Sequence, residues 1–177
     1  SLNQLGMLLM EAGDLPAATA IIEQALAIRE VALGPRHPTT ANSLNRLGLS
    51  LVLRGDFEAA QPHLERAISI QEEMLEPMHA DTATTINIMG YLLQAKGDVA
   101  AAKPYFERAL AIREEVLGPK DPLTAESLGN LGYVLKTMDN LAGAKSYFER
   151  ALAIREEVQG PKHPDTSIAL NSMGYLL

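Results

Sequence analysis

Between Ser127 and Leu135, the leucines at 128, 131 and 135 recur at steps of three and four, with Gly132 among them. That period places Leu128, Leu131 and Leu135 on one face of an α-helix. The same face recurs earlier as Leu44, Leu47, Gly48 and Leu51. A longer stretch follows, from about residue 141 to 158. Its Ala144, Phe148, Ala151, Leu152 and Ile154 keep helical spacing, while Glu149, Arg150, Arg155 and Glu156 fill other positions. This is the pattern of a long amphipathic helix.

The two-helix pattern repeats. Residues 105–122 read YFERALAIREEVLGPKDP, and residues 147–164 read YFERALAIREEVQGPKHP. The period is 42, giving repeats 1–42, 43–84, 85–126 and 127–168 and a partial fifth at 169–177 within one domain spanning 1–177. A fixed period in this range predicts a solenoid, because one short repeat cannot bury its apolar face alone. The punctuation agrees. The first helix stops at Gly13-Asp14, Gly55-Asp56 and Gly97-Asp98, where glycine can close one helix and aspartate cap the next. Asp139-Asn140 stands there in the fourth repeat and predicts a weaker corner. The second helix stops at Gly34-Pro35, Gly118-Pro119 and Gly160-Pro161, and Pro38, Pro122 and Pro164 suit the next first turn. Asp121 is placed to cap that turn. His37 and His163 are poorer caps, leaving Thr40 and Thr166 to contribute. Pro62 and Pro104 fall inside second helices and predict a bend or an irregular first turn there.

The motif Leu128-x2-Leu131-Gly132-x2-Leu135, followed by Ala144-x3-Phe148 and Ala151, resembles the tetratricopeptide repeat, with leucine replacing the usual aromatics. That unit has about 34 residues, and the extra length here adds about one turn to each helix. The long unit is similar to the repeats of kinesin light chains and their bacterial relatives. The resemblance implies an all-α fold of about nine helices, a right-handed superhelical solenoid of antiparallel pairs. It also implies protein–protein interaction, with an extended peptide or partner segment in a concave groove lined by the first helices.

Composition narrows the function further. Of the 177 residues, 47% are hydrophobic, but no apolar run is long enough for a membrane span. With no cysteine, disulfides and thiolate metal sites are excluded. The net charge of −7 argues against nucleic acid as partner. It is uneven. The repeats carry two basic residues against four acidic, three against seven, five against six, and five against five. The chain opens on Ser1 inside a repeat, so it reads as part of a longer array with its true N-terminus out of view. A cytoplasmic location is expected.

No catalytic, cofactor or metal site is expected. His37, His79 and His163 share one repeat position, but packed helices sit about 8–10 Å apart, too far for successive histidines to share a metal. His63 reads as a packing residue. The pairs Glu114-Glu115 and Glu156-Glu157 recur on the outer helices beside Arg113 and Arg155, as a solvated face would. Nothing forms the unique cluster an enzyme needs. The candidate site is therefore the groove. Asn3, Asn45, Asn87 and Asn171 stand three residues before a core glycine, with Gly129 in that place in the fourth repeat. Met7, Leu49, Tyr91, Tyr133 and Tyr175 stand one residue after it; Met10, Val52, Gln94 and Lys136 follow one turn later. Asparagine can clamp a peptide backbone and tyrosine offers rigid contact area. Asn87, Tyr91, Tyr133 and Lys136 are expected to form one continuous surface. Two rival readings remain. One is a structural or sensor arm of a larger signalling protein; the other is self-association through repeat ends carrying Leu170, Met173, Leu176 and Leu177.

Overall fold

A computed structural model describes residues 1–76 and 78–174, the side chains of 172 and 173 excepted. Tyr175, Leu176 and Leu177, and the side chain of Met173, lie outside the described residues. The described elements are helices. They run α1 Leu2–Glu11, α2 Leu15–Leu33, α3 Pro38–Arg54, α4 Phe57–Met74, α5 Ala80–Ala95, α6 Val99–Val116, α7 Pro122–Thr137, α8 Leu141–Val158 and α9 Pro164–Gly174. The helices α3, α5, α7 and α9 start at 38, 80, 122 and 164, so each start falls 42 residues after the last. Each helix packs chiefly on its neighbours in sequence, and α3 also meets α5. That is the contact pattern of a stack of helical pairs. None of the described helices is long and apolar enough to cross a membrane.

The core is the leucine face joined to the small and aromatic residues of the second helices. Leu44, Leu47, Leu128 and Leu131 are buried, as are Ala144, Phe148, Ala151 and Ile154. The helices of a pair approach closely because a glycine stands at the crossing. A Cβ at Gly90 would lie 2.7 Å from Phe106, and one at Gly132 would lie 2.6 Å from Phe148.

The corners follow the local chemistry, with exceptions. Asp14, Asp98 and Asn140 cap their helices through Oδ1, which accepts from the N–H three residues on. Asp139 takes the left-handed conformation, with φ of 61°, in place of glycine. Asp56 does not cap; its carboxylate pairs with Arg54 at 3.1 Å. The histidines do cap. Nδ1 of His37, His79 and His163 accepts from the backbone N–H two residues on, as Asp121 does. Thr40, Thr124 and Thr166 instead donate back to the carbonyls of Gly34, Gly118 and Gly160, locking each turn. The helices run unbroken across Pro62 and Pro104, so neither proline ends its helix, although each leaves one i→i−4 hydrogen bond unmade.

The outer helices carry a ladder of ion pairs. Arg66, Arg108 and Arg150 reach back one repeat to Glu30, Glu72 and Glu114 at 2.6, 2.6 and 2.7 Å. Arg36 pairs with Glu73, and Lys120 with Glu157, in a second column. Glu114 is therefore an inter-repeat partner, and Arg113 is no part of the solvated face: it is buried at 2% exposure.

Candidate functional site

The odd-numbered helices share a face, and part of the expected groove set lines two separate cavities on it. The first, of about 420 Å³, lies between α1, α3 and α5 over α4; Met7, Met10, Asn45 and Leu49 line it together with Arg46 and Gln71. The second, of about 320 Å³, lies between α5, α7 and α9 over α8; Tyr91, Gln94 and Tyr133 line it together with Asn130 and Arg155. These are one site built twice. Met7 and Tyr91, Met10 and Gln94, Leu49 and Tyr133, Gln71 and Arg155 are each 84 residues, two periods, apart.

Between them the equivalent place is filled. Asn87 donates through Nδ2 to Glu126 Oε1 at 2.8 Å and accepts at Oδ1 from Asn130 at 3.0 Å. Tyr91 donates its hydroxyl to Asn130 Oδ1 at 2.9 Å. Arg113 lies beneath, 3.8 Å from Glu126, and donates to the Leu123 carbonyl and Ser127 Oγ at 2.8 Å each. Burial pulls the Arg113 guanidinium down from its ordinary value, against the pull of Glu126. Burial, helped by the Glu126 carboxylate, pushes the Tyr91 phenol up to about 12.

This network corrects the role expected of the asparagines. Asn87 is 2% exposed and both ends of its amide are engaged, so it has none to offer a peptide backbone. Asn3 is buried too; with its oxygen turned toward Arg29 it accepts from Nη1 at 2.6 Å and Nη2 at 3.0 Å. Asn45 donates to Thr85 Oγ1 at 2.7 Å, and although half-buried it still borders the first cavity. Asn45 and Asn87 thus stitch one first helix to the next, and Asn3 ties α1 to α2. Asn171 is exposed on α9, and Tyr175 is outside the described residues. Lys136 is half-buried and engaged. The single surface expected from Asn87 to Lys136 resolves into a buried tie at Asn87 and a cavity wall at Tyr91 and Tyr133.

Sequence reasoning missed Glu126, Asn130 and Gln71. Glu126 and Asn130 carry no recurring signal, since Asn42 and Thr84, and Arg46 and Ile88, stand in their places in the preceding repeats. Gln71 did carry one, as the one glutamine in the column Arg29, Gln71, Arg113 and Arg155. Gly129, where an asparagine stands in other repeats, has nothing within 4 Å of a would-be Cβ and opens the second cavity.

Among the described residues, no three His, Cys, Asp or Glu side chains gather as a metal site would require. His63 is half-buried, and burial, with Arg66 adding to it, lowers its tendency to protonate.

The tetratricopeptide repeat family model matches residues 1–73, 81–157 and 129–177. The chain belongs to the tetratricopeptide repeat family. Proteins of this family bind protein partners. No curated protein matches the sequence. Among solved structures, the repeat array resembles a "putative kinesin light chain" from "Podosopora anserina" with "nearly identical TPR-like repeats". Identity is 22%, coverage is 99% of this chain and 83% of that one, and the TM-score is 0.82. It resembles BtubC (BKLC) from P. vanneervenii at 24% identity, over 99% of this chain and 70% of that one, with a TM-score of 0.84. The apo form of RapI matches at 19% identity and a TM-score of 0.82, and the array spans 61% of its length. These likenesses establish the fold, a kinesin-light-chain-like, right-handed solenoid of tetratricopeptide repeats.

Proposed function

We propose that the array binds an extended segment of another protein along the shared face of its odd-numbered helices, seating side chains in the two cavities. The observation that carries this reading is the duplication: equivalent cavities, two repeats apart, lined by Met7, Leu49, Tyr91 and Tyr133. Inner helices of successive repeats lie about 10 Å apart, so the cavities are about 20 Å apart. An extended chain covers that in about six residues. Tyr133 is 49% exposed and Met7 40%, so each presents contact area to a ligand. Gln94 contributes a buried carbonyl oxygen that has no partner, an acceptor for a ligand N–H at the second cavity.

The work is binding rather than catalysis, and the partner is a protein. The test is capture of random octapeptides by the purified array. Met7→Ala, Leu49→Ala, Gln94→Ala and Tyr133→Ala together should abolish capture without changing circular dichroism, since anchors of this kind cost about 2 kcal/mol or more each. Glu115→Lys with Glu156→Lys, both on exposed outer positions, should leave capture intact. Loss of capture in the outer variant alone would replace the groove with the structural-arm reading. Concentration-dependent dimerisation by sedimentation, insensitive to the cavity variant, would favour self-association.

A further inference from the structure

The two cavities differ in their floors. In three repeats the column residue is an arginine that reaches ten residues ahead: Arg29 to the Thr39 carbonyl at 3.1 Å, Arg113 to that of Leu123 and Arg155 to that of Asp165 at 2.8 Å each. In the second repeat it is Gln71. Its side chain is too short for that reach, and the hydroxyl of Thr85 has already taken the Asp81 carbonyl at 3.1 Å. Gln71 is 1% exposed, yet neither Nε2 nor Oε1 has a hydrogen-bond partner. It lines the first cavity. A buried amide with both ends unmade is destabilising, and that penalty is relieved by whatever enters and pairs with it.

The pairing chemistry is selective. A carboxylate only accepts, and a guanidinium or ammonium only donates. A hydroxyl meets one end of the amide at a time. A carboxamide meets both, donating to Oε1 while accepting from Nε2. The walls agree: Met7, Met10, Leu49 and Ile88 would pack on a methylene stem. Glu11 and Asp81 outnumber Arg46 in the lining, which disfavours an anionic side chain, and Arg46 disfavours a cationic one less strongly, so a neutral group meets the least opposition.

We propose that the first cavity is a recognition pocket for a carboxamide side chain, glutamine or asparagine, on the bound segment, paired with Gln71. This rests on the groove reading above, with which it shares the cavity. The second cavity differs: at the equivalent floor position Arg155 donates to the Asp165 carbonyl, and the unpartnered group there is the Gln94 oxygen, an acceptor alone.

The test uses the random octapeptide library on the whole array. Peptides retained by the wild type should share a glutamine or asparagine at one position. Replacing it with methionine should weaken binding about tenfold or more on the wild type. On the Gln71→Met variant the same replacement should cost less than about twofold. Gln71→Arg should also lose the preference, since it restores the column's arginine and fills the floor. Retained peptides without a shared carboxamide, or an equal methionine penalty on both proteins, would overturn the pocket and leave the groove reading standing. Failure of the wild type to retain any peptide would overturn both. Where the variants fold poorly, the side-chain NH2 resonance of Gln71 in the ¹⁵N-labelled wild type decides. It should shift with the selected peptide and stay fixed with its methionine analogue; no shift with either means the amide is met by water alone and the proposal fails.

Discussion

At the scale of single residues, repeat position is a weaker guide than local partners. The histidine columns show it. Histidine ranks low as a cap by composition, yet Nδ1 is an acceptor at the same reach as an aspartate oxygen, and His37, His79 and His163 all use it. Asp56, the better cap by type, is drawn off by Arg54. Tyr91 supplies a prediction at this scale. Its phenol is raised from 10.0 to about 12 by burial first and Glu126 second. A group with a raised folded-state pKa contributes its full stability below the unfolded value and loses it as pH climbs through the folded one. Stability should therefore fall by about 3 kcal/mol between roughly pH 10 and 12 on this account. Urea melts across that range should show a shallower decline for Tyr91→Phe than for the wild type. Equal slopes would mean that the phenol is not held as described.

At the scale of helices, the close crossing within a pair and the open face between pairs make opposite demands on glycine. Gly90 stands where a Cβ would meet the Phe106 ring at 2.7–2.9 Å, and Phe106 is itself fully buried and edge-on to Tyr91 at 5.5 Å. The ring cannot retreat without moving that contact. Gly90→Ala should cost about 1–3 kcal/mol. Gly129 is also mid-helix but meets nothing. There the lower backbone entropy cost of alanine wins, and Gly129→Ala should stabilise by about 0.5–1 kcal/mol. Denaturation midpoints of the two variants should move in opposite directions.

For the whole molecule, stability is a sum over neighbours, because helices touch chiefly those next to them in the chain. Removing residues 85–126 joins Thr84 to Ser127 and preserves the register of the stack. The shortened array should unfold at lower denaturant while its helicity per residue stays nearly unchanged. Collapse of all helicity would show that the repeats are not additive. The ion-pair ladder of the outer helices should contribute little to this sum, since exposed pairs add about 0–1 kcal/mol each.

The sequence by itself determined the period, the helices and most of their ends. Those depend on local terms: spacing of leucines, glycine at turns, proline in first turns. It also named the face on which Met7, Leu49, Tyr91 and Tyr133 sit, because a helical face follows from residue spacing alone. Which of those residues are available was decided only in three dimensions. Asn87 and Asn45 hold equivalent positions, yet Asn87 is consumed by Glu126 and Asn130 of α7, the next first helix, while Asn45 borders a cavity. Gln71 is one substitution in a column of arginines. That its amide is buried beside a cavity with no partner depends on the reach to the helix packed above it. Hydrogen bonds between repeats join residues about 40 positions apart, and no periodicity along the chain encodes which donors and acceptors they leave over.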